Sequence, residues 1–346
     1  MLLVLEVSIM PQRSLILTVL ISFIFLMFFS ACQTRVVQIP PPDTLLYDQG
    51  FSGFSDIDIE SEQQVFQLDE NAKAFVESTI GPLHNKIDQM EALVKAIFDR
   101  SDLNLLYQGD ANTTASGTFQ SQAANCLSMS IMTYALATEA GFEVDFQEII
   151  IPEYWTRRAG FSLLNGHINL KMLAPKQVHV IEFNRPSYQV DFDPQSSRRG
   201  LPKKVVSKQA VLSMFYNNKG ADAVLQKDYV TAYAYFREAI QINPNFHSAW
   251  INLGIVYRLS EYFPQAEKSY QHALVIKPDS LTAMENLAYL YTFTGRNEDA
   301  EDILASVENQ RISNPYYHVN LGEQQMEQEH WDQALEHFRK ALALDR

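Results

Sequence analysis

The sequence predicts an α+β domain followed by an all-α solenoid of helical repeats. Two observations carry that expectation. Small and large residues recur every 34 positions through the last part of the chain. Before them, a cysteine at a predicted helix start is followed by strands that carry first a histidine and then an aspartate. A third observation sets off a leader: an apolar stretch near the N-terminus stops at another cysteine.

At 346 residues the chain has room for two or three hydrophobic cores. Its 47% hydrophobic and 20% charged content is that of a globular chain rather than a disordered one. A formal charge of −14 with no basic run excludes a nucleic-acid partner, because phosphate binding needs clustered Lys and Arg. Cys32 and Cys126 are too few for a disulfide framework, so each needs its own explanation.

Arg13 precedes an uncharged, apolar segment from Leu15 to Ala31, the order of an export signal. Ser30-Ala31 then places small residues directly before Cys32. This resembles the lipobox of bacterial lipoproteins, which implies a signal peptide over 1–31 and a lipidated Cys32. A single acyl chain, at about 0.8 kcal/mol per buried CH₂, anchors marginally, whereas several anchor almost permanently. Gln33 follows, where the family's inner-membrane retention signal would place Asp, so the resemblance implies the outer membrane, facing the periplasm. Residues 32–60, with Pro40-Pro41-Pro42, Gly50 and Gly53, are expected to act as a tether.

The repeats span 207–346. One small position recurs as Ala232, Ala266, Ala300 and Ala334, and its large neighbour as Phe236, Tyr270, Leu304 and Phe338. A second small position recurs as Gly220, Gly254, Ala288 and Gly322. Small residues let two antiparallel helices approach, and large ones fill the groove between them. Pro244 and Pro278 end their units, whereas the third unit departs, with Ile312 there and Pro315 displaced. Trp250, Leu253, Gly254, Tyr257, Ala266, Tyr270, Ala273 and Pro278 together match the tetratricopeptide (TPR) pattern. The resemblance implies four TPR units and a protein or peptide partner on a concave face. His247, His272, His318, His330 and His337 lack metal-ligand spacing and read as packing or surface residues; no metal or cofactor is expected.

The remaining span, 61–206, is the α+β domain. Residues 61–105 carry a helical rhythm through Met90, Leu93, Val94, Ile97 and Phe98. The polar stretch 105–122 reads as a loop delivering the chain to Asn125-Cys126. A helix then begins, with Leu127, Ile131, Tyr134, Ala135 and Thr138 on one face and Gly141 as its stop. Cys126 therefore sits at or near a helix N-terminus, where amide N–H groups and the macrodipole favour a thiolate. A strand over 144–151 follows, then a loop with Tyr154, Trp155 and Gly160. Next comes a strand in which His167 and Asn169 alternate with Ile168, Leu170 and Met172. Further strands are expected over 178–183 and 188–192, the last turning Asp191 to the polar side.

The order cysteine, histidine, acid on these elements resembles the core of the transglutaminase-like superfamily, related in layout to papain-like cysteine proteases. Thr118-Phe119, Asn125-Cys126-Leu127-Ser128 and Tyr216-Asn217-Asn218-Lys219-Gly220 extend the likeness to bacterial lipoproteins that join this core to TPR repeats. The resemblance implies a catalytic set in which Cys126 attacks an amide carbonyl and His167 moves the proton. An acid then holds the imidazole tautomer. Asp191 is the preferred acid, with Asp193 and Glu182 as alternatives; Gln122 or Asn125 could serve an oxyanion hole, as could backbone amides. The expected function is a lipid-anchored cysteine hydrolase or acyltransferase acting on amide bonds of protein or peptide. The rival reading is a non-catalytic scaffold whose repeats bind an envelope protein.

Overall fold

Capping residues set the helix boundaries before the first cysteine-bearing element. Ser61 and Gln64 form a reciprocal capping box that starts α1 (Glu62–Phe66). Asp69 caps α2 (Glu70–Ile80) by accepting from the Ala72 amide, and α3 (Lys86–Phe98) follows. This computed structural model describes residues 41–98, 103–175, 185–192 and 200–345, all within the compact unit Pro40–Arg346. The apolar stretch 15–31, Cys32, Gln33, the strand expected over 178–183, Glu182 and Asp193 lie outside the described residues. Among the described residues no helix is long and apolar enough to cross a membrane.

The polar stretch expected as a loop is partly ordered. Strand β1 (Leu106–Tyr107) pairs in parallel with β2 (Ala123–Ala124), and α4 (Ala115–Ser121) lies between them. The Thr114 hydroxyl starts α4 by accepting from the Gly117 amide, and Gln122, at φ 54°, ends it in the left-handed region. A Thr N-cap before a short run of poor helix formers was a weak signal, outvoted by the polar composition.

Helix α5 (Cys126–Glu139) is capped by Asn125, whose side-chain oxygen accepts from the Ser128 amide. Ten of its fourteen residues are buried, so it is a central helix rather than one with a single apolar face. It packs against β3 (Glu143–Ile149) and β6 (His167–Leu173), with Tyr134 stacked on Phe146 at 4.7 Å. An antiparallel sheet runs in the order β7 (Ser187–Val190), β6, β3, β8 (Lys203–Val206). In β6 both alternating sets are buried, His167 and Asn169 as well as Ile168, Leu170 and Met172, so the strand is covered on both faces.

The loop expected around Tyr154 and Gly160 is a hairpin. Strand β4 (Trp155–Arg158) pairs with β5 (Phe161–Leu164) across Ala159-Gly160, both with positive φ, 48° and 80°. Such a two-residue turn matches the twist of its strands.

The Ser207 hydroxyl caps α6 (Lys208–Leu225), which opens four antiparallel helix pairs. The others are α7 (Tyr229–Ile242), α8 (His247–Leu259) with α9 (Phe263–Ile276), α10 (Leu281–Phe293) with α11 (Asn297–Arg311), and α12 (Pro315–Glu327) with α13 (Trp331–Leu344). The small-to-large pairing read in the sequence is a contact. A Cβ on Gly220 would stand 2.7 Å from the Phe236 ring, and Gly254 and Gly322 face Tyr270 and Phe338 in the same way. Trp250 is fully buried and donates its indole N–H to the Pro244 carbonyl at 2.9 Å. Pro315 does not end the third unit; it sits in the first turn of α12 behind the Asn314 cap.

Residues 41–60, expected as part of a tether, instead pack on the first two helix pairs. Phe51 is buried and stacks on Tyr233, centroids 4.3 Å apart and planes 4° from parallel. Asp48 accepts from the Tyr233 hydroxyl at 2.6 Å and from Arg237 at 2.9 Å, and Glu60 accepts from the Tyr235 hydroxyl at 2.8 Å. A segment that buries an aromatic ring and satisfies its carboxylates on one surface is not a free spacer.

Candidate active site

Helix α5, strand β6 and the residue following β7 bring Cys126, His167 and Asp191 together. Cys126 is the first residue of its helix, placed by the Asn125 cap. His167 opens β6 and Asp191 directly follows β7, the neighbouring strand. The His167 Nε2–H donates to Asp191 Oδ1 at 2.7 Å, with both side chains about 5% exposed. The half-buried Cys126 thiol is close enough to the imidazole to act on its protonation, and with Nε2 taken by the carboxylate, Nδ1 is the ring nitrogen left for it. Burial alone disfavours the imidazolium. Hydrogen bonds and charge from Asp191 and Cys126 outweigh it, and the His167 pKa is pushed up to about 10.

The second Asp191 oxygen accepts from Asn169 Nδ2 at 2.8 Å. Asn169 is fully buried and two residues beyond His167 on the same strand, so β6 supplies two groups that hold the carboxylate. The sequence placed Asn169 on the polar side of its strand without giving it a role. Its partner lies 22 residues away, and alternation cannot specify a side-chain hydrogen bond.

The Asn125 side chain is engaged as a cap. Its oxygen accepts from the Ser128 amide at 2.9 Å and its NH₂ donates to Asn112 Oδ1 at 2.5 Å. Gln122 closes α4 through its backbone N–H to the Thr118 carbonyl. The first-turn amides of α5 are the donors nearest to Cys126 in the chain, since the first four N–H groups of a helix have no intrahelical partner.

Among the described residues no group of three or more His, Cys, Asp or Glu could hold a metal ion. The array's histidines pack or hydrogen-bond locally. His272 lies edge-on to Trp250 at 4.4 Å, and His318 Nε2 donates to the Ile312 carbonyl at 2.9 Å. Burial brings the His247 pKa down to about 4, with Lys277 adding to the effect.

The middle part of the chain also meets the repeats. The β4–β5 hairpin lies against the first helix of the fourth pair: Arg157 pairs with Glu327, and the Ser162 hydroxyl donates to Asn320 Oδ1 at 2.7 Å. Arg311, almost fully buried, donates to Glu153 and Glu285 at 2.8 Å each and lies over the Trp155 ring at 4.9 Å.

Comparison with known proteins gives matches on the repeats. Residues 249–282 and 315–346 each match a tetratricopeptide-repeat family model. The Homo sapiens protein O-mannosyl-transferase TMTC1 is 30% identical over 92 residues, 27% of this chain and 10% of that protein. Tetratricopeptide repeat protein 37 of Xenopus laevis is 29% identical over 82 residues, 24% and 5% of the two chains. The chain thus spans a tenth or less of these curated relatives. Among solved structures, the Arabidopsis OM64 TPR domain is 20% identical with a TM-score of 0.28, covering 29% of this chain and 83% of that one. The CopN-Scc3 complex is 24% identical with a TM-score of 0.28, covering 36% and 67%. The C-terminal half of the chain is a tetratricopeptide-repeat solenoid, an architecture that binds proteins.

Proposed function

We propose that this chain is a lipid-anchored thiol hydrolase or acyltransferase of the transglutaminase-like type, acting on amide bonds of protein or peptide brought to it by its repeats. The observation that carries this reading is the His167 imidazole held between Cys126 and Asp191, with Nε2 2.7 Å from Oδ1. In such a cycle the Cys126 sulfur attacks the carbonyl carbon, and first-turn amides of α5 receive the developing oxyanion. The imidazolium then protonates the departing amine, which leaves a thioester. Water or a second amine opens the thioester, giving up its proton to His167. Asp191 holds the ring tautomer throughout. The anchor is lipid on Cys32, facing the periplasm from the outer membrane; mass spectrometry of the mature N-terminus reads whether residues 1–31 are removed and Cys32 acylated.

Labelling with iodoacetamide, read on the Cys126 peptide, tests the pair. His167→Ala is expected to slow labelling at mildly acidic pH roughly tenfold, because it removes the base and the cation beside the thiol. Equal rates in wild type and variant would leave the second reading, a non-catalytic adaptor. That reading is favoured by the β4–β5 hairpin, which joins the two parts of the chain as a structural brace.

A further inference from the structure

Four polar side chains link the first helix pair to the start of α5. Asp222, on α6, accepts from Asn112 Nδ2 through one oxygen and faces the Arg158 guanidinium at 3.4 Å with the other. Asn112 Oδ1 accepts from Asn125 Nδ2 at 2.5 Å, and Asn125 Oδ1 accepts from the Ser128 amide at 2.9 Å. A carboxylate only accepts and a guanidinium only donates, whereas a carboxamide has one end of each kind. Asp222 therefore forces Asn112 to present its NH₂ to the repeats and its oxygen to Asn125. Asn125 in turn must point its NH₂ at Asn112 and its oxygen at the helix. Only with that last orientation can Asn125 cap α5.

We propose that Asp222 is a positioning residue for Cys126: the repeat array sets, through Asn112, the amide orientation of Asn125 that caps the helix carrying the thiol. The inference rests on the thiol reading of the site and makes the array part of the site's construction, in addition to its recruiting role.

The polarity of the relay supplies a test that loss of packing would not reproduce. In Asp222→Asn the Arg158 guanidinium, which also lies 4.0 Å from Asp110, favours the carboxamide oxygen, so the new NH₂ turns toward Asn112. Asn112 and then Asn125 must reverse, and Asn125 meets the Ser128 N–H with its own NH₂. Burial raises the Asp222 pKa, so labelling is read at about pH 8, where the Cys126 rate with iodoacetamide is expected to fall roughly fivefold. Hydrogen exchange at the Ser128 amide is expected to quicken by a similar factor, that of one lost helix cap. Arg158→Leu alone leaves both rates near wild type. Combined with Asp222→Asn it frees the carboxamide to turn its oxygen back to Asn112, and both rates recover.

Wild-type rates in Asp222→Asn overturn the proposal, as does a loss that Arg158→Leu fails to restore. If Asp222→Asn unfolds, as read by circular dichroism, Asn112→Leu removes the oxygen that orients Asn125 without reversing it, so both losses are expected to be smaller but of the same sign, and wild-type rates there overturn the proposal. If His167→Ala leaves labelling unchanged, the thiol reading fails, and Ser128 exchange alone then decides the relay.

Discussion

Asp191 has one oxygen on the His167 ring and the other on Asn169, two groups from the same strand. This has a consequence for stability. His167 has its pKa raised from about 6.5 to about 10, so the folded state favours its protonated form more than the unfolded chain does. The pair's contribution is then fully present below about 6.5 and is lost as pH rises through about 10. Asp191→Asn removes the charge and keeps the shape. The difference in unfolding midpoint between wild type and Asp191→Asn is expected to be largest near pH 6 and to shrink steadily toward pH 10, as thermal melts across that range would read. A difference that grows with pH would show that His167 is neutral in the folded protein. At this scale Cys126, His167 and Asp191 were legible, because residue type and order along helix and strands are written in the chain. Asn169, Asn112 and Asp222 were not. Each acts through a polar contact whose partner is 22 or 110 residues distant, and no periodicity marks such a contact.

Among the elements, the helix pairs were the most legible because their period has a steric cause. Glycine stands opposite an aromatic ring in three pairs, whereas in the third pair the 34-residue register places Ala288 and Leu304 at those positions. Gly220→Ala puts a methyl group 2.7 Å from the Phe236 ring and is expected to cost about 1–3 kcal/mol in urea denaturation, as overpacking does. Adding Phe236→Leu copies the third pair's combination and should recover part of that loss, less the cost of the smaller side chain. Strictly additive losses would mean that the ring moves aside and the pairing carries no constraint. The β4–β5 hairpin was less legible than the helices, although Ala159-Gly160 between two short strands was a usable turn signal. The hairpin is held by contacts that lie far off in sequence, since Glu327, Asp222 and Asn320, the partners of Arg157, Arg158 and Ser162, belong to the repeats.

On the scale of the whole molecule, the array is clasped by chain that precedes it. The hairpin meets the fourth pair, and residues 41–60 cross the first two, so both stretches depend on surfaces that exist only once the repeats have stacked. Phe51 carries the greatest apolar weight in the N-terminal stretch. It is 3% exposed, stacked on Tyr233, and within 5.9 Å of the Tyr257 ring and 5.7 Å of the Tyr262 ring. Phe51→Ala leaves a cavity under three tyrosines and is expected to cost about 3 kcal/mol of global stability. The tyrosines also report it spectroscopically: near-ultraviolet circular dichroism should weaken while the helical signal at 222 nm is retained under native conditions. A free spacer would behave otherwise, with Phe51→Ala leaving the unfolding midpoint and the aromatic signal where they were. The expected loss places residues 41–60 within the cooperative unit of the repeats: the chain meets the second helix pair at Tyr257 through Leu45 and Tyr47, then the first at Tyr233 and Tyr235 through Asp48 and Glu60.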